Sequence, residues 1–186
     1  MNIGIFIFRS LFFFLPAYIT NITTTISRKI RFLKFIEKPV DFGKTVKGGP
    51  ILGSHKTWRG VICGVIIGIF VCYFQEWLYQ SSLFVKNNSL IPYDKINIFL
   101  FGFLISFGAI LGDLFFAFLK RRQNIPPGAP WIPFDQINYV IGGFLFSNIY
   151  LRIDIIYWII ILILTVLLHI LVNYIGYLLG LSRAKL

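Results

Sequence analysis

Long apolar runs alternate with short charged or proline- and glycine-rich segments along the 186-residue chain. A helix needs about 20 residues to cross a hydrocarbon core about 30 Å thick, and five of the apolar runs approach that length. The pattern predicts an all-α, polytopic integral membrane protein with a single membrane domain over residues 1–186. The five predicted transmembrane helices cover about residues 2–25, 58–79, 96–119, 136–151 and 155–181. The fourth is short, and only one turn separates it from the fifth.

The composition excludes a water-soluble globular protein. Hydrophobic residues make up 57% of the chain, charged residues make up 13%, and the mean hydropathy is +0.78, whereas soluble domains carry about 25% charged residues. The 18 Lys and Arg residues exceed the seven Asp and Glu residues and give a formal net charge of +11. This charge is compatible with nucleic acid, anionic lipid or a polyanionic small molecule, and composition alone does not choose among them.

The positive charges are concentrated on one side of the predicted membrane domain. Most of the Lys and Arg residues lie between residues 28 and 59, between 120 and 135, or in the C-terminal tail. The positive-inside rule assigns these segments to the cytoplasm. The sequence therefore predicts a multi-pass protein of the cell (inner) membrane, with its N-terminus outside, cytoplasmic loops at 26–57 and 120–135, and an active site facing the cytoplasm.

Glycine recurs at helical spacing within two of the predicted helices. Gly60, Gly64 and Gly68 recur every four residues in the second, and Gly108 and Gly112 share that spacing in the third. Residues four apart lie on one face of a helix, and small residues on such a face allow membrane helices to approach closely. We therefore expect these faces to be helix contacts.

Asp113 is an acidic residue inside the third predicted transmembrane helix, seven residues before the basic cluster that begins at Lys120. At about 1.5 Å per residue, its carboxylate lies about 10 Å inside the membrane boundary. A charge at that depth costs a few kcal/mol unless it faces a partner or a water-filled cavity. Asp113 is therefore a candidate functional residue, although a structural interhelical ion pair would also explain it. Asp113 and Lys120 are two turns apart on one face, so both can project into one cleft.

The loop before the fourth predicted helix contains four prolines and ends in Asp135. Asp135 can be explained as a helix N-cap. However, Asp113 and Asp135 flank the same short loop, so their helix ends are expected to lie close together. Two carboxylates beside basic residues are suitable ligands for a divalent cation that carries a polyphosphate.

The first basic loop continues into the second predicted helix with DFGKTVKGGPILGSHKTWRG. Glycines allow backbone amides to approach phosphate oxygens, and Lys and Arg supply positive charge, so the composition suits phosphate binding. The spacing is not that of a Walker A motif. Anchoring to anionic head groups is the alternative, but it explains poorly the block 53–59, where Lys56 and Arg59 could both face one ligand.

His169 and Asn173 lie one turn apart in the fifth predicted helix, and Asn173 is at a depth similar to that of Asp113. Polar side chains inside a membrane domain most often form hydrogen bonds between helices. Both residues therefore have either a structural role or a role in the site.

Four sequence blocks together resemble the CDP-archaeol synthase family, which is distantly related to the phosphatidate cytidylyltransferases. They are DFGKTVKGGPILGSHKTWRG after the first predicted helix, GAILGDLFFAFLKRRQNIPPG in the third, PFDQINY at the fourth and HILVNYIGYLLGL near the C-terminus. The resemblance covers nearly the whole chain. It implies Mg²⁺-dependent transfer of a cytidylyl group from CTP to an isoprenoid ether-lipid phosphate, with CDP-lipid and pyrophosphate as products.

The resemblance also implies roles for individual residues. Asp113 and Asp135 are expected to be catalytic, metal-binding carboxylates, and Lys120 a catalytic cation. The implied partners are CTP, a lipid phosphate acceptor and the membrane, without nucleic acid, and homo-oligomerisation is left open. The expected nucleotide-binding residues are Lys56, Thr57, Arg59, Gly53, Asp41 and Arg121, and His169 and Asn173 are further candidates for the site.

Two departures from the family pattern leave the acceptor open. His55 stands where a small or acidic residue is expected in archaeal members, and the C-terminal SRAKL is shorter than expected. The acceptor could therefore be an isoprenoid ether-lipid phosphate, an ester-linked phosphatidate or another polyprenyl phosphate.

Other functions of small membrane proteins account less well for these features. A CDP-alcohol phosphotransferase should carry a DGxxAR block, which the sequence lacks. A transporter or lipid flippase would use Asp113 and His169 as relay or substrate contacts, but the internal repeats expected of many transporters are missing. A structural assembly factor would explain the glycines but not a buried Asp beside a basic, proline-rich loop.

Overall fold

A computed structural model describes residues 3–27, 31–46, 48–127 and 129–178, without the side chains of 31, 32, 172, 173 and 175–178. In this part of the chain, short 3-10 helices occupy Arg31–Ile36 and Tyr93–Lys95, and strands β1 (Thr45–Val46) and β2 (Gly49–Pro50) pair antiparallel. The α-helices are α1 (Ile3–Ile26), α2 (Trp58–Ser81), α3 (Leu83–Asn88), α4 (Ile98–Arg122), α5 (Phe134–Tyr150) and α6 (Ile155–Leu178).

The five long helices lie at the five predicted positions, and the prediction of an all-α polytopic membrane protein is confirmed. Helices α1, α2 and α4 are each long and apolar enough to cross a membrane, and α6 contributes the apolar stretch Ile155–Leu171. Helix α5 has 17 residues, so it is about 26 Å long and shorter than a hydrocarbon core of about 30 Å.

Helix α4 continues three residues beyond the predicted end of the third transmembrane helix, at 119. Its last turn contains Lys120, Arg121 and Arg122. Basic side chains there are favourable because the C-terminal end of a helix carries partial negative charge. The three cations therefore belong to the last turn of α4 and not to the loop that follows it.

The core is built largely from aromatic side chains of α1. Phe13 packs 5.6 Å from both Phe101 of α4 and Trp158 of α6, measured between ring centroids. Phe14 packs 5.7 Å from Trp158 and 6.2 Å from Tyr139 of α5. Aromatic pairs in these geometries contribute about 0.5–1.5 kcal/mol beyond the burial of their area. Helix α1 is therefore a central support on which α4, α5 and α6 converge.

A buried glutamine compensates for the proline inside α1. Pro16 has no N–H to donate to the Phe12 carbonyl one turn earlier. The Gln75 side chain of α2, which is fully buried, donates its amide N–H to that carbonyl instead. A backbone acceptor left unpaired in a membrane would cost several kcal/mol, so this contact both satisfies α1 and fixes α2 against it.

The predicted glycine face of α2 is a helix contact. A Cβ added at Gly64 would lie 3.1 Å from Ile110 of α4 and 3.3 Å from Thr20 of α1, and the Thr20 hydroxyl donates to the Gly64 carbonyl at 3.1 Å. A Cβ at Gly60 would lie 3.3 Å from the Thr24 carbonyl oxygen of α1. The prediction for this face is confirmed, because glycine there allows α1 and α4 to contact the α2 backbone.

Helices α4 and α5 pack backbone against backbone at three glycines. A Cβ added at Gly142 would lie 2.7 Å from the backbone nitrogen and 2.8 Å from the Cα of Gly112, and it would also collide with the Gly108 carbonyl. A Cβ at Gly112 would collide with the Asn138 carbonyl. Because these neighbours are backbone atoms, they cannot move aside as a flexible side chain can. The two predicted glycines of α4 therefore meet a glycine of α5 that the spacing did not single out.

We expect Gly142→Ala to lower the free energy of unfolding by about 1–3 kcal/mol, because the added methyl group forces the two helices apart. The matched control is Gly49→Ala, since a Cβ at Gly49 would meet only the Arg122 guanidinium, at 4.0 Å. Thermal unfolding of the detergent-solubilised protein measures the effect. Equal unfolding temperatures for Gly142→Ala and the unmodified protein would contradict the packing argument.

Candidate active site

A carboxylate within the first basic loop holds the backbone of that loop in place. The Asp41 carboxylate accepts backbone N–H bonds from Gly43 at 3.0 Å, Leu52 at 2.8 Å and Gly53 at 3.3 Å. Burial alone would raise the pKa of Asp41, but these hydrogen bonds outweigh burial and hold the pKa below its ordinary value. Asp41 therefore fixes the shape of the loop through its own backbone.

The hairpin of the same loop rests on the end of α4. Arg122 donates from Nη1 to the Val46 carbonyl at 2.8 Å and from Nη2 to the Pro50 carbonyl at 2.7 Å. A guanidinium presents several donors in a rigid plane, so one side chain binds both strands. This contact fixes the hairpin, which precedes Lys56 in the chain, on the end of α4.

Asp113 of α4 forms an ion pair with the loop and a hydrogen bond with α5. Its Oδ2 lies 2.5 Å from the Lys56 Nζ, and its Oδ1 accepts from the Asn138 Nδ2 at 3.1 Å. The side chains of Lys56 and Asp113 retain 28% and 19% exposure. The carboxylate inside the predicted membrane helix is thus paired but remains open to solvent.

Asp135 forms a second ion pair beside the first. Its Oδ2 lies 2.6 Å from the Lys120 Nζ and accepts the Trp131 backbone N–H at 2.8 Å. Asp135 lies in the first turn of α5, whereas the N-cap position is occupied by Pro133. The N-cap interpretation of Asp135 is therefore wrong, although an acidic side chain remains favourable in the first turn because of the helix dipole.

Aromatic rings hold the proline-rich loop against α4. Trp131 and Phe134 have ring centroids 4.4 Å apart, and Phe116 of α4 lies 6.2 Å from Trp131 and 6.0 Å from Phe134. This cluster fixes the start of α5 relative to α4. It thereby sets the position of the Asp135 carboxylate.

Both acidic residues line one cleft between the basic loop, α4 and α5, which we call the charged cleft. Its empty volume is about 730 Å³, a value that includes the open solvent at its mouth. The polar and charged residues that line it are His55, Lys56, Asp113, Lys120, Arg121, Asp135 and Asn138, with Leu52, Ala117, Pro127, Ala129 and Pro130 completing the wall.

The structure brings together some of the sequence-predicted site residues in this cleft. Lys56, Asp113, Lys120, Arg121 and Asp135 all line it. Lys120 and Arg121 are nearly buried, with 6% and 9% exposure, and Arg121 Nη1 also donates to the Ile125 carbonyl. Cations in such a position attract an anion strongly because little water screens them.

Two other predicted nucleotide-binding residues lie outside the charged cleft. Arg59 is fully buried, and its Nη2 lies 2.6 Å from the Glu37 Oε1. Thr57 is the N-cap of α2, where its hydroxyl accepts the Gly60 N–H at 3.3 Å. These contacts give Arg59 and Thr57 structural roles, because a buried cation and a helix start both require partners.

Asp41 and Gly53 also lie away from the charged cleft. Gly53 has φ +104°, a conformation that side chains other than glycine rarely adopt, and it packs against Pro127. Its N–H is directed to Asp41. Both residues therefore shape the loop that carries Lys56 without lining the cleft themselves.

The structure describes the side chain of only one of the two candidate site residues predicted on α6. His169 is partly exposed and does not line that cleft. The side chain of Asn173 lies outside the described residues.

Sequence reasoning missed three residues that support the site. Asn138 donates to Asp113, His55 lines the charged cleft, and Glu37 neutralises Arg59. A signal for Asn138 was present, because it lies three residues after Asp135 and so near the same face of α5. The partnership of Glu37 with Arg59 joins residues 22 positions apart in an irregular loop, and no periodicity predicts it.

The donor set of the cleft fits a hard divalent cation. Mg²⁺ is commonly held by one or two carboxylates together with substrate phosphates and water, and Asp113 and Asp135 supply two carboxylates to one solvent-open cleft. Among the described residues, no group of three or more His, Cys, Asp and Glu side chains is arranged to hold a metal ion by itself. These residues therefore suit a cation that shares its ligands with a phosphate-bearing substrate.

Comparison with known proteins identifies relatives across the full length of the chain. The profile of the CarS-like family of CDP-archaeol synthases matches residues 3–185. The CDP-archaeol synthase of Methanocaldococcus jannaschii is 37% identical over 178 residues, which cover 95% of each chain. The CDP-archaeol synthase of Pyrobaculum islandicum is 36% identical over 177 residues, which cover 93% of this chain and 96% of the relative.

A solved structure has the same fold. It is that of an intramembrane enzyme for archaeal membrane lipid biosynthesis, and it superimposes with a TM-score of 0.69 at 24% identity. The match covers 90% of this chain and 94% of the other. The arrangement of the helices is therefore shared, and from the family profile and the sequence relatives we conclude that this chain belongs to the CDP-archaeol synthase family.

Proposed function

We propose that this protein transfers the cytidylyl group of CTP to an isoprenoid ether-lipid phosphate and releases pyrophosphate. The observation that carries the proposal is the charged cleft, in which Asp113 and Asp135 lie beside three cationic side chains. A triphosphate and a phosphate monoester are both anionic, so bringing them together requires a site rich in positive charge. Membership of the CDP-archaeol synthase family supports this assignment and sets aside the transporter and flippase alternatives.

The chemistry needs charge neutralisation more than proton removal. An oxygen of the lipid phosphate is already negatively charged at neutral pH, so it can attack the α-phosphorus without a strong general base. The main obstacle is repulsion between the two substrates, followed by the charge that develops on the departing pyrophosphate. Fixed cations and correct alignment lower both barriers.

Lys56, Lys120 and Arg121 are the residues we assign to this neutralisation. Lys56 approaches from the basic loop, whereas Lys120 and Arg121 extend from the last turn of α4. The two lysines are paired with Asp113 and Asp135, so each can turn from its carboxylate towards a phosphate. Arg121 offers a planar set of donors that matches phosphate oxygens.

Asp113 and Asp135 are the residues we assign to holding Mg²⁺, with the Asn138 amide keeping Asp113 oriented. Bound there, Mg²⁺ would neutralise the polyphosphate and help to align it. Each carboxylate is held by at least one contact besides its lysine, Asp113 by Asn138 at 3.1 Å and Asp135 by the Trp131 N–H at 2.8 Å. The carboxylates would therefore keep their positions if the lysines moved away.

We expect Asp113→Asn to reduce formation of CDP-lipid by about 100-fold or more, because the cleft loses one of its two carboxylates. The measurement is the incorporation of radiolabelled CTP into lipid by detergent-solubilised protein. The matched control is Asp154→Asn at the start of α6, where Asp154 accepts the Ile156 N–H at 3.0 Å and Asn can do the same. Turnover by Asp113→Asn equal to that of Asp154→Asn would remove Asp113 from the mechanism.

We expect removal of divalent cations with EDTA to abolish product formation, and added Mg²⁺ to restore it. Asp135→Asn should raise the Mg²⁺ concentration that gives half-maximal rate by about 10–100-fold, because one carboxylate ligand is lost. Titration of the initial rate with Mg²⁺ at saturating CTP measures this shift. An unchanged Mg²⁺ requirement in Asp135→Asn would contradict a metal-binding role for this residue.

The proposed orientation follows from the basic residues that line or border the charged cleft. These residues indicate that the cleft faces the cytoplasm of the cell membrane, where CTP is available, with the N-terminus outside.

Single cysteines test this orientation in a variant whose native Cys63 and Cys72 are replaced by alanine. In intact cells a membrane-impermeant maleimide should label Asn87→Cys, after the second long helix, but not Lys44→Cys, in the basic loop. Both positions are exposed, so permeabilised cells should show labelling of both. Labelling of Lys44→Cys alone in intact cells would reverse the proposed topology.

A further inference from the structure

A second cleft lies directly beside the charged cleft, between the end of α1, the start of α2 and the middle of α4. We call it the α1–α2–α4 cleft, and its empty volume is about 430 Å³, including open solvent. The proposed roles of the charged cleft leave this second space unused. Its lining is made of residues that the proposed mechanism does not employ, together with three that it shares with the charged cleft.

The lining of this cleft is divided into a polar half and an apolar half. Thr25 and Thr57 contribute hydroxyl groups at the helix ends, whereas the Thr24 hydroxyl donates to the Asn21 carbonyl at 2.8 Å within α1. Val61, Ile110 and Leu114 contribute apolar side chains deeper along α2 and α4. A ligand with an anionic head and a hydrocarbon tail matches this division, because the head can accept hydrogen bonds while the tail remains in an apolar environment.

Exposed aliphatic residues lie next to residues of both halves of the cleft. Ile22 and Ile26 flank Thr25 on α1 and have 51% and 53% exposure, and Ile62 follows Val61 on α2 with 40% exposure. In a membrane helix these side chains contact acyl or isoprenoid chains without cost. A lipid could therefore reach the cleft from the membrane without its chains entering water.

The two clefts share a wall formed by His55, Lys56 and Asp113. The Lys56 Nζ and the Asp113 Oδ2, 2.5 Å apart, are the charged part of that wall. A phosphate in either cleft would thus lie against the same ion pair. This arrangement suits a reaction in which two anionic groups, approaching from opposite sides, must meet at one point.

We infer that the α1–α2–α4 cleft binds the phosphate monoester of the lipid acceptor, while the charged cleft binds CTP, and that the Lys56–Asp113 pair marks where the substrates meet. The inference rests on the proposed function and adds to it the location of the second substrate. In-line displacement requires the attacking and leaving oxygens to lie on opposite sides of the α-phosphorus. Two clefts that share one wall give the acceptor and the departing pyrophosphate separate spaces, as that geometry requires.

The transfer balances without a further reactant. An ionised oxygen of the lipid phosphate forms a bond to the α-phosphorus of CTP, and the bond from that phosphorus to the oxygen bridging to the β-phosphate breaks. Pyrophosphate leaves with the electron pair of the broken bond. No atom is oxidised or reduced, and no proton must be removed from the attacking oxygen.

Filling the apolar half of the cleft tests the assignment. We expect Val61→Phe to raise the apparent KM for an isoprenoid ether-lipid phosphate in detergent micelles by about tenfold or more, because the ring occupies space meant for the lipid. The apparent KM for CTP and the binding of radiolabelled CTP in equilibrium dialysis should stay within about twofold. The control is Ile66→Phe on the same helix, because the Ile66 side chain is 47% exposed and lies outside the cleft. This variant should change neither KM by more than about twofold.

A second, milder variant tests the same cleft in case Val61→Phe does not fold. Thr25→Val removes a hydroxyl from the polar half without changing the shape of the side chain, and it should raise the KM for the lipid by about threefold or more. Its control is Thr23→Val, since the Thr23 hydroxyl donates to the Ile19 carbonyl at 2.7 Å within α1 and does not line the cleft.

The outcomes separate this inference from the proposed function. If the unmodified protein forms no labelled lipid from CTP with any lipid phosphate, the proposed function fails, and this inference fails with it. If the unmodified protein is active but the cleft variants raise the KM for CTP as much as that for the lipid, only the inference fails. Unchanged lipid kinetics in both Val61→Phe and Thr25→Val would likewise overturn it.

Discussion

The contact between α4 and α5 positions the acidic residues, and the rest of the site depends on it. Gly108 and Gly112 meet Gly142 with no space for a Cβ, so the two backbones touch. Because lipid surrounds both helices, burial of apolar surface gives little drive for association, and close packing of small residues has to supply it. Only at this separation can Asn138 reach Asp113.

The charges of the site are balanced locally, which for Asp113 lowers the cost of a carboxylate at membrane depth. Asp113 is neutralised by a lysine from the loop, and Asp135 is neutralised by a lysine from the neighbouring helix. An unpaired charge there would cost several kcal/mol. Both pairs keep some exposure to solvent. Water can therefore solvate each carboxylate while one cationic partner is replaced by another. The same lysines can therefore stabilise the protein before substrate binds and neutralise phosphate afterwards.

Several polar and charged side chains of the first basic loop form contacts that hold the loop itself in shape. Asp41 binds three backbone amides, Thr57 caps α2, and Arg59 is buried against Glu37. These contacts hold Lys56, one of the three residues that both clefts share. Gly53 in this loop has φ +104°, a backbone conformation that other residues rarely adopt. Glycine therefore shapes the loop, in addition to allowing its backbone to approach a phosphate.

The sequence by itself determined the helices and the main charged residues, because a long apolar run in a membrane must satisfy its backbone internally and so becomes helical. Spacing along one helix also predicted correctly that Asp113 and Lys120 line one cleft. Tertiary structure alone decided which cation faces which carboxylate, and that Arg59 is turned away towards Glu37. Those pairings join an irregular loop to distant helices, and local periodicity carries no information about contacts set by how a loop folds back. The division into two clefts at Lys56 and Asp113 likewise exists only after α1, α2, α4, α5 and the loop have packed together.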